Sequence, residues 1–158
     1  MRRLPFSVPP MKLSFLLWLA SVLPQSAADP LCLAATVYLE ARDQPVAGQQ
    51  AVAEVAMRRR ADGRWGDSVC EVVTAPKQFA PSLVNPNLRL GSVEAWEQAV
   101  AVAFRAQHDW QRPPGERHEV VPGASHFAAV YATPSWADRP LVAHIGEHRF
   151  YRVDRLSE

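Results

Sequence analysis

The sequence predicts an α+β domain in which three or four helices precede a small antiparallel sheet. Apolar residues recur at helical spacing between residues 30 and 107. After Asp109 no long helical pattern follows, and a Pro-Pro-Gly segment at 113–115 indicates a loop that ends the helical part. Near the end of the chain, two β-prone segments flank Gly146-Glu147, a pair suited to a tight hairpin turn.

Length and charge limit the class of protein. The chain has 158 residues, of which 48% are hydrophobic, which is enough for one domain with a proper core. The formal net charge of +1 argues against a nucleic-acid-binding protein that depends on a strong basic field. The Arg58-Arg59-Arg60 run is interpreted as a solvated helix end, where cations favour the helix dipole. We expect a monomer without a nucleic-acid partner.

Residues 1–28 have the features of a cleaved export signal. Basic residues precede the apolar stretch 13–23, and residues 26–28 are the small residues that a signal peptidase requires. The alternative is a retained membrane anchor, but the apolar stretch is shorter than the roughly 20 residues that cross a bilayer. We expect cleavage after Ala28 and a protein of the periplasm or cell envelope without a membrane span.

The first helix of the predicted mature chain carries one carboxylate in an apolar run. Asp29 can cap this helix, and Pro30 occupies the first helical position. Glu40 lies near the far end, where the helix dipole and apolar neighbours both raise its pKa toward the range useful for a general acid. The alternative is that Glu40 reaches water or pairs with Arg42.

A second helix and a short element follow a break at residues 43–45. Residues 46–59 resume the helical pattern, with Ala51, Val52, Val55 and Ala56 on one stripe. After a turn, residues 68–74 form either a short helix or an extended piece.

The middle of the chain combines an irregular stretch with the clearest helix. Residues 76–91 are rich in Pro and Asn and are predicted to form a loop over a cleft. Ser92 then caps a helix with an amphipathic stripe between Trp96 and Gln107. We interpret that stripe as core.

Three segments form the predicted sheet. Residues 125–131 are β-prone, and residues 141–145 and 148–153 flank the turn at Gly146-Glu147. Within the last of these, Phe150 is assigned to the core.

The chain has two cysteines, Cys32 and Cys70. Export to an oxidising compartment permits them to form a disulfide, which the loop-entropy description values at about 4 kcal/mol. A catalytic thiol is a weaker interpretation, because Cys32 lies in an apolar face without a histidine nearby in sequence. Two cysteines alone do not make a zinc site.

Five blocks stand out in order along the chain: residues 38–42, 48–53, 69–73, 78–79 and 145–151. Together they resemble the spore-cortex-lytic (SleB-like) cell wall hydrolase family. Their order and spacing fit essentially the whole predicted mature chain. The resemblance implies a lysozyme-like catalytic domain without a cofactor that cleaves the glycan strands of peptidoglycan, with Glu40 as the catalytic acid. The cysteine pair resembles the exported proteobacterial branch of that family.

Two reactions remain open for such an enzyme. Most glycosidases need a second carboxylate, for which Asp43 and Glu54 are the candidates. A lytic transglycosylase needs none, because its glutamate protonates the glycosidic oxygen and then accepts the proton of the sugar's own 6-hydroxyl, closing a 1,6-anhydro ring.

A glycan groove also needs aromatic faces and hydrogen-bonding side chains along its walls. The residues of the matching blocks and of the predicted strands supply both kinds. The candidates for substrate binding are Gln78, Phe79, His126, Phe127, Tyr131, Trp136 and Tyr151.

Two alternative functions belong to other classes. His126, His144 and His148 are candidates for a zinc site, which would make the protein a wall amidase or peptidase, although they lack a compact ligand motif. The other alternative is a non-catalytic peptidoglycan-binding module, against which the retained Glu40-Ala41-Arg42 block argues.

Overall fold

The structure is a computed structural model that describes residues 11–154. Helices dominate the first two thirds of this range and a small antiparallel sheet follows, so the predicted α+β class is confirmed. The helices are α1 (Leu13–Val22), α2 (Gln25–Ala41), α3 (Val46–Asp62), α4 (Val69–Thr74), α5 (Ala80–Leu83) and α6 (Val93–Trp110). The strands are β1 (Met11–Lys12), β2 (Arg89–Leu90), β3 (His126–Ala129), β4 (Leu141–Ile145) and β5 (His148–Tyr151). A 3₁₀ turn spans Pro114–Glu116.

Helix α2 is the central element, since α1, α3, α4, α5 and α6 all pack against it. Its long apolar run explains this position, because nearly every residue from Cys32 to Tyr38 is buried and needs neighbours on all sides. A helix enclosed in this way holds the side chains of its last turn in a fixed place.

The predicted start of α2 is wrong. The helix begins at Gln25, and Pro30 lies inside it. Asp29 does not cap α2, because its buried carboxylate accepts the backbone N–H of Cys70 and the side-chain amide of Gln25, each at 3.3 Å. The residues before Asp29 continue the helix and leave no free N–H for it to cap.

The predicted disulfide between Cys32 and Cys70 is confirmed, and it joins α2 to α4 with a Cα–Cα distance of 5.2 Å. Ser68 caps α4 by accepting the N–H of Glu71 at 3.1 Å. Of the two predicted alternatives for residues 68–74, a short helix or an extended piece, the structure therefore has the helix.

Residues 76–91 are more regular than predicted. They contain α5, which begins directly after the fully buried Phe79, and strand β2. Strand β2 pairs antiparallel with β1, where Leu90 lies opposite Met11.

The larger sheet has the strand order β3-β5-β4, and both pairs are antiparallel. Phe127 pairs with Phe150 and Ala129 with His148, so these four side chains share one face. Gly146 adopts a φ of +57° in the β4–β5 turn, as the predicted hairpin requires. Phe150 is fully buried, which confirms its assignment to the core.

Helix α1 lies on α2 with Leu13 and Leu16 fully buried, while Phe15 and Trp18 point outward. Residues 1–10 of the predicted export signal lie outside the described range. Within residues 11–154, no helix combines the length and apolar character needed to cross a membrane. Cleavage after Ala28 stays a prediction and would remove the first turn of α2.

Candidate active site

Glu40 lies in the last turn of α2 and is largely enclosed. Its Oε1 accepts the backbone N–H of Ala80 at 2.7 Å. Burial raises the pKa of Glu40, and the hydrogen bond from Ala80 opposes this in part. Arg42 donates to the Tyr38 carbonyl at 3.4 Å and lies 5.3 Å from the centre of the Tyr38 ring. The predicted direction of the pKa shift is therefore confirmed, and Arg42 is held by Tyr38.

The contact with Ala80 depends on the segment before it. Phe79 is fully buried and anchors the start of α5 against Phe127, with a ring distance of 5.8 Å. The first N–H groups of a helix have no partner within the helix, and Glu40 satisfies that of Ala80.

The Glu40 cavity has a volume of about 220 Å³. The end of α2 and the α2–α3 loop form one side, and the sheet forms the other. Besides Glu40, the carboxylates of Asp43 and Glu147 face it. Its other lining residues are Leu39, Arg42, Gln44, Ala129, Tyr131 and His148.

His148 is a buried polar residue of this cavity. Its ring packs on Phe127 at 5.4 Å and on Phe150 at 6.2 Å, and its Nδ1 has no hydrogen-bond partner among residues 11–154. Burial lowers the pKa of His148, while the carboxylates of Asp43 and Glu147 oppose that shift. The imidazole is therefore biased toward its neutral form beside Glu40.

Gln44 fastens the β4–β5 hairpin to the α2–α3 loop. Its Oε1 accepts the backbone N–H of Glu147 at 2.8 Å, and its amide donates to the Glu147 carboxylate at 3.2 Å and to Asp43 at 3.3 Å. A Cβ on Gly146 would overlap Gln44 Oε1 and lie 3.1 Å from the ring of Pro45. These contacts and the positive φ therefore favour glycine where the hairpin meets the loop.

A second opening, here called the Trp136 cavity, lies farther along β3 and has a volume of about 650 Å³. It combines indole rings with two cationic side chains. Its lining residues are Arg59, Trp65, Lys77, Gln78, His126, Phe127, Ser135 and Trp136.

Arg59 corrects the interpretation of the arginine run as a solvated helix end. Its side chain is buried, and its guanidinium carbon lies 4.6 Å from the centre of the Trp65 ring and 5.0 Å from that of Phe79. It donates to Gln78 Oε1 and to the Ser125 carbonyl, each at 2.8 Å. The guanidinium thus forms a fixed wall of the Trp136 cavity.

Two chain segments connect the two cavities. On β3, Phe127 lines the Trp136 cavity and Ala129 lines the Glu40 cavity, a separation of about 7 Å at the usual strand rise. On the other segment, Lys77 lines the Trp136 cavity while Ala80 contacts Glu40. The two openings are therefore neighbours along β3, and together they are called the groove below.

The predicted substrate-binding residues divide into three groups. Tyr131 lines the Glu40 cavity and is 87% exposed. Phe79 and Tyr151 are buried and cannot present a face to a sugar; Tyr151 packs behind Trp136 with a ring distance of 5.3 Å. Those two assignments are wrong because the rings support the groove from behind. The remaining four, which line the Trp136 cavity, are Gln78, His126, Phe127 and Trp136.

Glu54, one of the two predicted candidates for a second catalytic carboxylate, has a structural role instead. Its two oxygens accept the backbone N–H groups of Val120 and Val121. These hydrogen bonds attach the segment before β3 to α3. Glu54 lines neither cavity of the groove, whereas Asp43 lines the Glu40 cavity.

The three histidines of the zinc alternative do not converge. His126 packs between Trp65 and Trp136, His148 packs on Phe127, and His144 is exposed. Over the described range, no group of three or more His, Cys, Asp or Glu side chains is placed to hold a metal ion. The zinc alternative is therefore contradicted over these residues.

Sequence reasoning missed several residues of the groove, of which five bear on its chemistry or its geometry. Arg59 was hidden in a charged run, and Glu147 followed a turn glycine, where a charge is usually solvated. Trp65 and Lys77 lie in segments without periodicity, and nothing local marks Gln44 as a clamp. The resemblance block at residues 145–151 was the one signal that pointed toward Glu147.

A comparison of the sequence with models of protein families identifies the family of this chain. A sequence model of the family described as Cell Wall Hydrolase matches residues 43–151. The chain belongs to the cell wall hydrolase family. The matched range begins three residues after Glu40, so it contains the clamp and both cavity walls on the sheet but not the glutamate itself.

Solved structures agree with this family. The catalytic domain of the Bacillus cereus SleB protein is 27% identical, with 78% of this chain and 89% of that chain covered and a TM-score of 0.58. The catalytic domain of the germination-specific lytic transglycosylase SleB from Bacillus anthracis is also 27% identical, with 78% and 93% covered and a TM-score of 0.60. A search of curated proteins found no match. These findings confirm the predicted SleB-like cell wall hydrolase with a lysozyme-like fold, an enzyme that acts on peptidoglycan.

Proposed function

We propose that this cell wall hydrolase is a lytic transglycosylase, with Glu40 as both its acid and its base. The observation that carries the proposal is the enclosed Glu40 carboxyl, whose pKa burial raises and which lines the groove between the helices and the sheet. The similarity to a lytic transglycosylase of Bacillus anthracis supports the same class of reaction.

The reaction needs one carboxyl in two protonation states. Because Oε1 of Glu40 accepts the Ala80 N–H, Oε2 carries the catalytic proton. That proton passes to the glycosidic oxygen while the bond from this oxygen to C1 of muramic acid breaks. The 6-hydroxyl oxygen then bonds to C1, and its proton returns to Oε2. The product is a 1,6-anhydro ring, no water is consumed, and Glu40 ends protonated.

The Ala80 N–H assists the intermediate stage. When Glu40 has lost its proton, the carboxylate stays in a largely dry site, where a backbone donor is worth more than in water. The same donor partly opposes the raised pKa, so the group can release its proton and take one back.

A muramidase is the second candidate, because Asp43 and Glu147 line the same cavity as Glu40. Either carboxylate is a candidate base that activates water on the face of the sugar opposite the acid. This reaction would leave a reducing muramyl end instead of an anhydro ring.

Mass spectrometry of the soluble products released from purified peptidoglycan tests the assignment. We expect anhydro-muramyl products from the wild type and from Glu116→Gln, a matched change at an exposed glutamate, and none from Glu40→Gln. Reducing-end products that disappear in Asp43→Asn or Glu147→Gln would establish the muramidase. Release of peptides alone, or glycan release by Glu40→Gln, would refute both.

We also propose that the protein is exported, is cleaved after Ala28 and acts in the periplasm or cell envelope as a monomer. Its substrate lies outside the cytoplasm, the Cys32–Cys70 disulfide suits an oxidising compartment, and one chain supplies both cavities of the groove. The N-terminal sequence and native mass of the protein recovered from the cell envelope test this. A recovered protein that still contains residues 13–28 would contradict the cleavage.

A further inference from the structure

We propose that the Trp136 cavity binds a carboxylate of the peptide stem of peptidoglycan, so that the enzyme favours glycan strands that still carry peptides. The proposal rests on the proposed function of Glu40 and assigns a ligand to the second half of the same groove.

The charge of the cavity is the first argument. Arg59 and Lys77 both line it, and none of its lining residues in the described part of the chain is acidic. The third ionisable group, His126, is neutral near pH 7, because burial and the charges of Arg59 and Arg64 lower its pKa to about 4. The cavity therefore has a positive potential that favours an anion.

Lys77 has the properties of a ligand-binding cation. It is exposed, and it forms no hydrogen bond or ion pair with any residue in 11–154. Its φ of +63° makes it the one non-glycine residue of this range in the left-handed region. Such conformations are uncommon and concentrate at functional sites. Lys77 thus adds to the cavity lining an ammonium that no residue in 11–154 neutralises.

The walls suit a short peptide. Trp65 and Trp136 flank His126 at ring distances of 5.9 and 4.9 Å, which places apolar faces next to the two cations. A peptide stem has small apolar side chains and free carboxylates, so it matches both features. The N-acetylated sugars that carry it are uncharged and supply no anion of their own.

The position of the cavity relative to Glu40 agrees with this ligand. The stem is attached to the lactyl group of muramic acid, the sugar whose C1 reacts. The neighbouring cavity begins about 7 Å along β3 from the lining residue Ala129. A muramic acid at Glu40 therefore places its stem within reach of Lys77.

The experiment compares glycan strands that carry stems with the same strands after an amidase has removed them. We expect the wild type to have the lower KM on strands with stems. Lys77→Gln should raise that KM roughly 3- to 5-fold, as for loss of one partly exposed ion pair, without changing kcat. On strands without stems its KM should stay within twofold, and Lys77→Arg should restore the preference.

Arg60→Gln is the charge-matched control, because Arg60 is an exposed cation of α3 that lines neither cavity of the groove. It should leave the preference for stems intact. A preference that persists in Lys77→Gln, or an equal loss on both substrates, would overturn the proposal.

Two further outcomes distinguish a wrong ligand from a wrong proposed function. Removal of the stem exposes the lactyl carboxylate, so a wild-type preference for stem-free strands that Lys77→Gln abolishes would identify that carboxylate as the ligand and refute the stem. If neither substrate yields glycan products, the proposed function fails. Binding of Glu40→Gln to soluble strands with and without stems, measured by calorimetry, then decides the ligand independently of turnover.

Discussion

Glu40 and Ala80 lie 40 residues apart, and the carboxylate of the first accepts the backbone N–H of the second at 2.7 Å. The contact links the last turn of the central helix to the first N–H of α5. It gives the Glu40 carboxyl one backbone donor, and no hydrogen bond from residues 11–154 reaches the other oxygen of this cavity-lining side chain.

The rate should depend on the protonation of Glu40. Burial raises the pKa of this carboxyl, and the group must start protonated to act as an acid. We therefore expect kcat/KM on peptidoglycan to fall as the pH rises through a value above the ordinary glutamate pKa of about 4.3. Replacing Glu40 by Gln should reduce kcat by about 10²- to 10⁴-fold. A descending limb at the ordinary glutamate pKa would contradict the raised pKa, and a rate without a descending limb would contradict the acid role.

The same shift predicts how Glu40→Gln affects stability. A carboxyl with a raised pKa destabilises the folded state once the pH exceeds its unfolded pKa, because ionisation is then easier in the unfolded chain. We expect Glu40→Gln to increase the free energy of unfolding relative to wild type at pH 7, and the gain to disappear below pH about 4.3. Urea unfolding at both pH values measures this. Glu116→Gln, at an exposed site, should show no such difference.

The sequence and the structure agree where local patterns determine the element. The stripe from Trp96 to Gln107 and the Ser92 cap predicted α6, and Gly146-Glu147 predicted the hairpin turn, because each depends on neighbouring residues. The enclosure of Glu40 was also predictable, since the apolar residues around it in sequence bury the helix that carries it and desolvate its carboxylate.

What could not be predicted depends on contacts between distant segments. Nothing near Ala80 indicates that its N–H meets Glu40, and nothing in the arginine run indicates that Arg59 is buried between Trp65 and Phe79. Phe79 and Tyr151 were assigned to the groove by residue type, but side-chain direction in the folded chain places them behind it. Residue type alone does not fix which side of a wall a ring occupies.

His126 should make the fold sensitive to mild acid. Its pKa is lowered to about 4 by burial and by the charges of Arg59 and Arg64, whereas an unfolded histidine has a pKa of about 6.5. Below pH 6.5 the unfolded chain takes up a proton that the folded chain refuses until about pH 4, so stability falls across this window.

The loss in the free energy of unfolding due to His126 should be about 1–3 kcal/mol after allowance for solvent screening. Carboxyls such as Glu40 act in the opposite direction, so the comparison is between wild type and His126→Gln at pH 7 and pH 4.5. The variant should lose less stability than the wild type on acidification. His144→Gln changes an exposed histidine and should behave as wild type; equal losses in all three proteins would refute the assignment.

The clamp between Gln44 and the hairpin should make Gly146 intolerant of a side chain. Gly146 has a φ of +57°, and an added Cβ would overlap Gln44 Oε1 and lie 3.1 Å from Pro45. Gly146→Ala combines backbone strain with the loss of the Gln44–Glu147 hydrogen bonds, so it should lower the free energy of unfolding by about 2–4 kcal/mol. It should also reduce activity, because Glu147 and His148 line the Glu40 cavity.

Gly115→Ala is the matched control for this effect, since a Cβ at Gly115 meets no atom within 4 Å and its φ is not in the left-handed region. It should change stability by less than about 0.5 kcal/mol. Gln44→Ala removes the overlapping oxygen, so Gly146→Ala should cost less in a Gln44→Ala background than in the wild type, and the double-mutant cycle in urea measures the coupling. Additive losses would mean that the hairpin and the loop are not linked through this pair, and that backbone strain alone explains the need for glycine.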